Sequence, residues 1–149
     1  MMVDIDRITG DVLDFAIRLH RELGPGLLES VYETVLAAQL VRAGYRVDRQ
    51  KPVNIQHDGL IFEAAFRIDI LVDDRLLLEI KSVDKVHRMH AKQLLTYLRL
   101  TYQPVGLLIN FGGETLKEGF RRIVNNYQPS APPRLCVPNS PSFSSSGAQ

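Results

Sequence analysis

The chain has few of the features that assign a protein to a class at once. Its single cysteine, Cys136, excludes an internal disulfide framework and a thiolate metal cluster within one chain. No apolar run approaches the roughly 20 residues that cross a bilayer, so the sequence does not predict a membrane protein. The first residues include acids and form no apolar segment, so we expect no signal peptide and a cytoplasmic location.

The chain also has no large excess of charge of one sign. The 18 basic and 17 acidic residues give a net charge of +1, which neither favours nor excludes a nucleic-acid partner. A local basic segment at residues 81–92 nevertheless sets four Lys and Arg side chains and two histidines against Asp84 alone. Such a segment is either a solvated helix face or a surface that binds phosphates.

Composition predicts one folded domain followed by a tail. With 149 residues, 45% of them hydrophobic, the chain is long enough to bury a core. Residues 128–149 hold five of the eight prolines and six serines, and Arg134 is the only charge there. We therefore predict a domain at residues 4–127 and a disordered Pro/Ser-rich tail at 128–149.

Periodicity predicts four helices and four strands. Apolar residues at helical spacing indicate helices at 11–23, 28–43, 86–101 and 116–126. The second helix is expected to bury Leu28, Val31, Val35 and Leu36. Strand patterns cover 53–57, 60–72, 75–81 and 105–111, with a hairpin turn at Asp58-Gly59. This order predicts an α/β or α+β domain with a mixed four-stranded sheet flanked by helices.

Charged residues interrupt two of the predicted strands. Asp69, Glu79 and Lys81 lie in otherwise apolar runs, where a charge is costly unless it is paired or binds something. A three-residue connection at 73–75 pairs Asp69 with Glu79, whereas a two-residue turn would place Glu79 on the opposite face. The longer connection leaves an entirely aliphatic set on the other face: Ile68, Ile70, Val72, Leu76, Leu78 and Ile80. We therefore predict a sheet face that carries both acids and the lysine.

Two carboxylates beside a lysine suit a divalent metal site. Carboxylates supply the hard oxygen ligands that Mg²⁺ prefers, and Mg²⁺ keeps waters and accepts phosphate oxygens. A neighbouring lysine can position or deprotonate the attacking water and stabilise negative charge on phosphate. The alternative is a structural ion pair between one of the acids and Lys81 or Arg67.

The spacing of Asp69 and Glu79-Ile80-Lys81, with the α-β-β-β-α-β order, resembles the PD-(D/E)XK nuclease superfamily. Ile68 stands where the superfamily pattern has proline. The resemblance implies a restriction-endonuclease-like core. It also implies that Asp69, Glu79 and the Ile80 carbonyl bind Mg²⁺ or Mn²⁺, and that Lys81 is the catalytic lysine.

A second signature is found in the predicted second helix. Residues 26–32 are similar to the heptad of the bacterial GxxExxY proteins, which are grouped in the same superfamily. That resemblance implies that Glu29 is a further metal-binding acid. The alternative is a first-turn glutamate that the helix dipole favours. Tyr32 is expected to be a packing residue.

A third pattern lies in the predicted third helix. Gln93 and Tyr97 are similar to the QxxxY motif of RecB-like and lambda-exonuclease-like members, and the i, i+4 spacing places both on one helix face. Pairing of His87 with His90 does not predict zinc, because no third ligand is evident. The side chains expected to bind nucleic acid are Gln93, Tyr97, His90, Arg88, Lys85 and Lys92.

The resemblance implies a Mg²⁺- or Mn²⁺-dependent deoxyribonuclease, with DNA favoured over RNA as the partner. A domain of this size is compatible with a homodimer that surrounds a duplex. The alternative is a catalytically silent nuclease-fold module that binds nucleic acid or another protein, since a fold does not guarantee a function.

Overall fold

A computed structural model describes residues 3–126 of the chain, and all statements below concern this part. Two helices come first, α1 (Ile5–Leu23) and α2 (Glu29–Arg42). Three strands follow: β1 (Val47–His57), β2 (Leu60–Val72) and β3 (Leu76–Lys81). The described chain ends with α3 (Arg88–Thr101), β4 (Val105–Asn110), a 3₁₀ turn (Lys117–Gly119) and β5 (Phe120–Val124).

One mixed sheet organises the fold, with its five strands in the order β1-β2-β3-β4-β5. Only β3 and β4 are parallel, and α3 forms the crossover between them. The hairpin turn at Asp58-Gly59 and the three-residue connection at 73–75 are both present, as predicted. The pairing of Ile70 with Leu78 confirms the register that the longer connection requires.

Each face of the sheet is covered by helices. The larger cluster joins α1 and α2 to alternate residues of the central strands, and the smaller cluster joins α3 to the residues between them. The predicted aliphatic face is confirmed for five residues, since Ile70, Val72, Leu76, Leu78 and Ile80 all belong to the larger cluster. Ile68 was assigned to the wrong face: it packs in the α3 cluster. The alternation of faces is therefore interrupted at Asp69.

The predicted last helix at 116–126 is wrong, and the sheet has five strands instead of four. Residues 117–119 form one 3₁₀ turn, and Phe120–Val124 pairs antiparallel with β4. Every residue of β4 is buried, so its backbone groups have no access to water and require partners on both sides. The need of β4 for a second neighbour outweighed the helical spacing of the apolar residues.

The first two helices, α1 and α2, also differ from the prediction. Helix α1 begins at Ile5, six residues earlier than expected. In α2, Leu36 is buried as predicted, but Leu28 and Val31 are 75% and 37% exposed. The buried face consists of Tyr32, Glu33, Leu36, Ala37 and Leu40. Apolar character alone misplaced this face because two of its members, a tyrosine and a glutamate, have polar groups with partners inside the fold.

The predicted tail at 128–149, including Cys136, lies outside the described residues. Within residues 3–126, no helix is both long and apolar enough to cross a membrane.

Two glycine substitutions test the regions where the structure differs from the prediction: Gly119 precedes β5, and Gly10 lies in the first turns of α1. A Cβ at Gly119 would lie 2.7 Å from Asn110 Cβ and 2.8 Å from its carbonyl oxygen, so we expect Gly119→Ala to destabilise the protein by about 1–3 kcal/mol. A Cβ at Gly10 in α1 meets nothing within 4 Å, so Gly10→Ala should stabilise by up to about 1 kcal/mol. Urea unfolding of both variants is the measurement. Stabilisation by Gly119→Ala would restore the helix prediction.

Candidate active site

The candidate site lies where the pairing of β2 with β3 ends. The last paired residues are Ile70 and Leu78, and Asp69 is the next residue of β2. Asp69 Oδ2 accepts a hydrogen bond of 2.8 Å from the backbone N–H of Ile80. The Asp69 side chain therefore binds a backbone N–H that would donate to the backbone of β2 if the β2–β3 ladder were longer. This bond fixes the Asp69 carboxylate beside the strand that carries Glu79 and Lys81.

Glu79 and Lys81 form the second part of the site. They are two residues apart on β3, so they lie on the same face, and Lys81 Nζ is 3.4 Å from Glu79 Oε2. The side chains are 18% exposed for Lys81 and 11% for Glu79. The ion pair that the sequence offered as an alternative is thus present, and both of its side chains are mostly buried.

Negative charge in the site exceeds what Lys81 neutralises. Burial, followed by the charge of Asp69 and that of Glu29, raises the pKa of Glu79 to about 7, although Lys81 opposes the change. The pKa of Asp69 is also raised, first by burial and then by Glu33 and Glu29. Hydrogen bonds from Ile80 N–H and Gln50 act in the opposite direction. Desolvated carboxylates that raise one another's pKa are a favourable setting for a cation.

The donor set fits a hard divalent ion. Among residues 3–126, no group of three or more His, Cys, Asp or Glu side chains is arranged to hold a metal. An ion between Asp69 and Glu79 would therefore need a backbone carbonyl, such as that of Ile80, together with water or substrate oxygens. Mg²⁺ is commonly bound in this way, with one or two carboxylates and retained waters.

The structure places Glu29 near the other acids but does not join it to them. It is the first residue of α2 and is exposed, and its charge acts on the pKa of Asp69, Glu79 and His90. One turn later, Glu33 is only 5% exposed and accepts a 2.8 Å hydrogen bond from Gln50 Nε2. Residue spacing placed Glu33 on the same helix side as Glu29, but it gave no indication of this contact with β1.

Tyr32 shapes the connection that precedes α2. Its side chain is fully buried and stacks on Phe111, with ring centroids 4.4 Å apart. The hydroxyl donates to the Gly24 carbonyl at 2.5 Å and accepts from Leu27 N–H at 3.1 Å. Leu27 is in turn bound to the strand end of the site, since its carbonyl accepts a 2.7 Å hydrogen bond from Ser82 Oγ. Tyr32 is thus a packing residue that closes the loop beside the site.

Helix α3 presents the residues that were predicted to bind nucleic acid. Tyr97 stacks on Phe66 at 4.0 Å, and burial together with the charges of Glu79 and Asp69 raises its pKa. Gln93, one turn earlier, is exposed. The stack on Phe66 is a contact that spacing along one helix could not reveal.

Basic side chains surround the start of α3. The pKa of His90 is lowered by burial and by the charges of Lys81 and His87. His90 Nδ1 accepts a hydrogen bond from the His87 backbone N–H at 3.2 Å. The remaining predicted contacts are exposed: Lys85, Arg88 and Lys92. These exposed cations form a cationic rim along the start of α3.

The architecture, with α1, α2 and α3 on a mixed sheet whose central strands carry the acids and lysine, is that of a restriction-endonuclease-like fold. A family model described as the PD-(D/E)XK nuclease superfamily matches residues 6–123, and the chain belongs to this superfamily. Its members are generally nucleases and typically use divalent metals. Comparisons with curated proteins and with solved structures found no match.

The raised pKa of Glu79 predicts a pH dependence of stability in metal-free protein. The folded state keeps the Glu79 proton up to a pKa of about 7, whereas an unperturbed glutamate loses it near 4.5. Since the folded state then binds more protons, the free energy of unfolding falls as pH rises through this window. The full effect is at most about 3 kcal/mol. Urea unfolding in EDTA should show wild type losing stability relative to Glu79→Gln between pH 4.5 and 7.5.

Glu63→Gln, which removes an exposed carboxylate of β2, is the matched control for this comparison. A difference between wild type and Glu79→Gln that does not change with pH would contradict the prediction.

Proposed function

We propose that this protein is a Mg²⁺- or Mn²⁺-dependent nuclease that hydrolyses phosphodiester bonds in DNA. The observation that carries the proposal is the pair of desolvated carboxylates, Asp69 and Glu79, with the mostly buried Lys81 paired to Glu79. A merely structural ion pair would need one acid for one lysine. Here the charge of a second acid, Asp69, also acts on Glu79, and the excess negative charge is what a divalent cation would neutralise.

Asp69, Glu79 and the Ile80 carbonyl would hold the ion, with Glu29 at the entrance of the site. When bound, the ion supplies Lewis-acid charge for the phosphoryl oxygens and lowers the pKa of a water molecule. Ile80 N–H keeps Asp69 in place through the 2.8 Å hydrogen bond. The Lys81 ammonium group stabilises the negative charge that develops on phosphate during attack.

The cationic rim of α3 is proposed to hold the nucleic-acid backbone. Gln93 and Tyr97 are one turn apart on α3; the charges of Glu79 and Asp69 act on Tyr97, and the charge of Lys81 acts on His90. Exposed Lys85, Arg88 and Lys92 extend positive charge away from the site. DNA is preferred as the substrate because the Gln93–Tyr97 pair resembles the motif of RecB-like and lambda-exonuclease-like nucleases.

We further propose that the chain is a cytoplasmic member of the GxxExxY proteins. The heptad at residues 26–32 has a structural basis that supports this assignment. Gly26 has a positive φ of 103°, which glycine adopts readily, and Tyr32 closes the same loop through its hydroxyl. Glu29 is exposed at the first position of α2.

The catalytic assignment predicts which substitutions abolish cleavage. With Mn²⁺ and single- or double-stranded DNA, Lys81→Ala, Glu79→Ala and Asp69→Asn should each lower the rate by at least about 100-fold, since each removes a charge that acts on the reacting phosphate or its metal. Lys117→Ala, which removes an exposed lysine of the 3₁₀ turn, should cleave like wild type. Undiminished cleavage by Glu79→Ala or Lys81→Ala would refute the mechanism, and Mn²⁺-independent cleavage would refute the metal requirement.

The rim assignment predicts a change in salt dependence. The triple variant Lys85→Ala/Arg88→Ala/Lys92→Ala should bind DNA more weakly, and the slope of log K against log salt should fall by about 2–3 if all three contact phosphate. Fluorescence anisotropy with labelled DNA at several salt concentrations measures this slope.

The charge-matched control for the rim variant removes three exposed arginines of α1 and α2, on the other face of the sheet: Arg7, Arg21 and Arg42. An equal loss of slope in both triple variants would show that net charge, and not the α3 rim, determines binding.

A further inference from the structure

Gln50 lies opposite Asp69 in the pairing of β1 with β2. The neighbouring pairs are Arg49 with Ile70 and Lys51 with Ile68, so Gln50 and Asp69 face each other between them. At this position Gln50 has a φ of 49°, in the left-handed region that residues other than glycine seldom adopt. Such conformations cluster at functional sites, where the surroundings hold them.

The side-chain amide of Gln50 joins two carboxylates. Its Nε2 donates to Glu33 Oε1 at 2.8 Å and to Asp69 Oδ1 at 3.3 Å. Ionised carboxylates only accept hydrogen bonds, and an amide NH₂ group has two hydrogens, so only the nitrogen end of Gln50 satisfies both. The orientation of the amide is therefore fixed by chemistry as well as by geometry.

Glu33 is a firm anchor for this amide. It is 5% exposed, and its other oxygen, Oε2, accepts a hydrogen bond of 3.1 Å from Arg49 Nε. Arg49 also forms a 3.1 Å ion pair with the same oxygen through a terminal nitrogen. Because two donors from β1 hold Glu33, and Glu33 lies on α2, the helix and the edge strand fix the position of Gln50 together.

Asp69 is thereby held at both oxygens. Oδ2 accepts from Ile80 N–H in β3, and Oδ1 accepts from Gln50 in β1. We infer that Gln50 is a positioning residue that holds the Asp69 carboxylate in the orientation in which it binds the metal ion. This inference rests on the proposed metal-binding role of Asp69 and adds a residue that acts through it. Partners that orient a metal ligand commonly change metal affinity 10–100-fold when removed.

The test is calorimetric titration of Mn²⁺ into the full-length chain. Gln50→Leu keeps the approximate side-chain size but removes the donor, and Gln50→Gly also relieves the positive φ. Both should bind Mn²⁺ at least about 10-fold more weakly than wild type. Gln56→Leu, at an exposed glutamine further along β1, is the matched control and should bind like wild type.

Thermal unfolding without metal separates positioning from folding. Gln50→Gly should stay close to wild type in stability, because relief of the positive φ offsets the loss of the hydrogen bond to Glu33, while its Mn²⁺ affinity still falls. Mn²⁺ affinity equal to wild type in both Gln50 variants overturns the inference and leaves the proposed function intact. Absence of Mn²⁺ binding to wild type, with Glu79→Ala behaving identically, overturns the proposed function and the inference with it.

Discussion

The hydrogen bond from Ile80 N–H to the Asp69 carboxylate is the interaction on which the candidate site depends. It lies at the end of the β2–β3 ladder, where the alternation of faces along β2 is interrupted and Ile68 and Ile70 join different clusters. If the Asp69 side chain simply followed the alternation of β2, it would project from the sheet and away from the backbone of β3. Bound to a backbone donor, it stays beside Glu79 without the freedom of a solvated side chain, which reduces the cost of organising a site before a ligand arrives.

In the absence of a ligand, this arrangement of charged groups lowers the stability of the protein. Burial and the charges of neighbouring acids raise the pKa of both acids, and the single lysine does not offset the excess charge on Glu79. Stability given up in this way is typical of functional sites, because groups arranged for a ligand are poorly arranged for one another. The fold tolerates it because the two hydrophobic clusters on either side of the sheet are extensive and apolar.

The surroundings of the site link two helices, α2 and α3, to the sheet that carries the acids. Through Glu33, α2 contacts β1, and through Tyr32 it closes the loop that reaches Ser82 after β3. From the opposite face, α3 contributes Tyr97, which stacks on Phe66 of β2. The acids, Lys81 and the cationic rim are therefore held by elements that are far apart in the sequence. A small shift of α2 or α3 would change the geometry of the site.

The sequence by itself determined the register of the central hairpin and the shared face of Glu79 and Lys81, because strand register follows from a local alternation and a short connection. Most helices and strands were predictable for the same reason. Only the tertiary structure decided the fifth strand, since the buried edge of β4 required a partner that its own sequence does not announce. It also decided the role of Gln50 and Glu33, which meet across β1 and α2. Contacts between residues distant in sequence depend on packing, and no local periodicity encodes them.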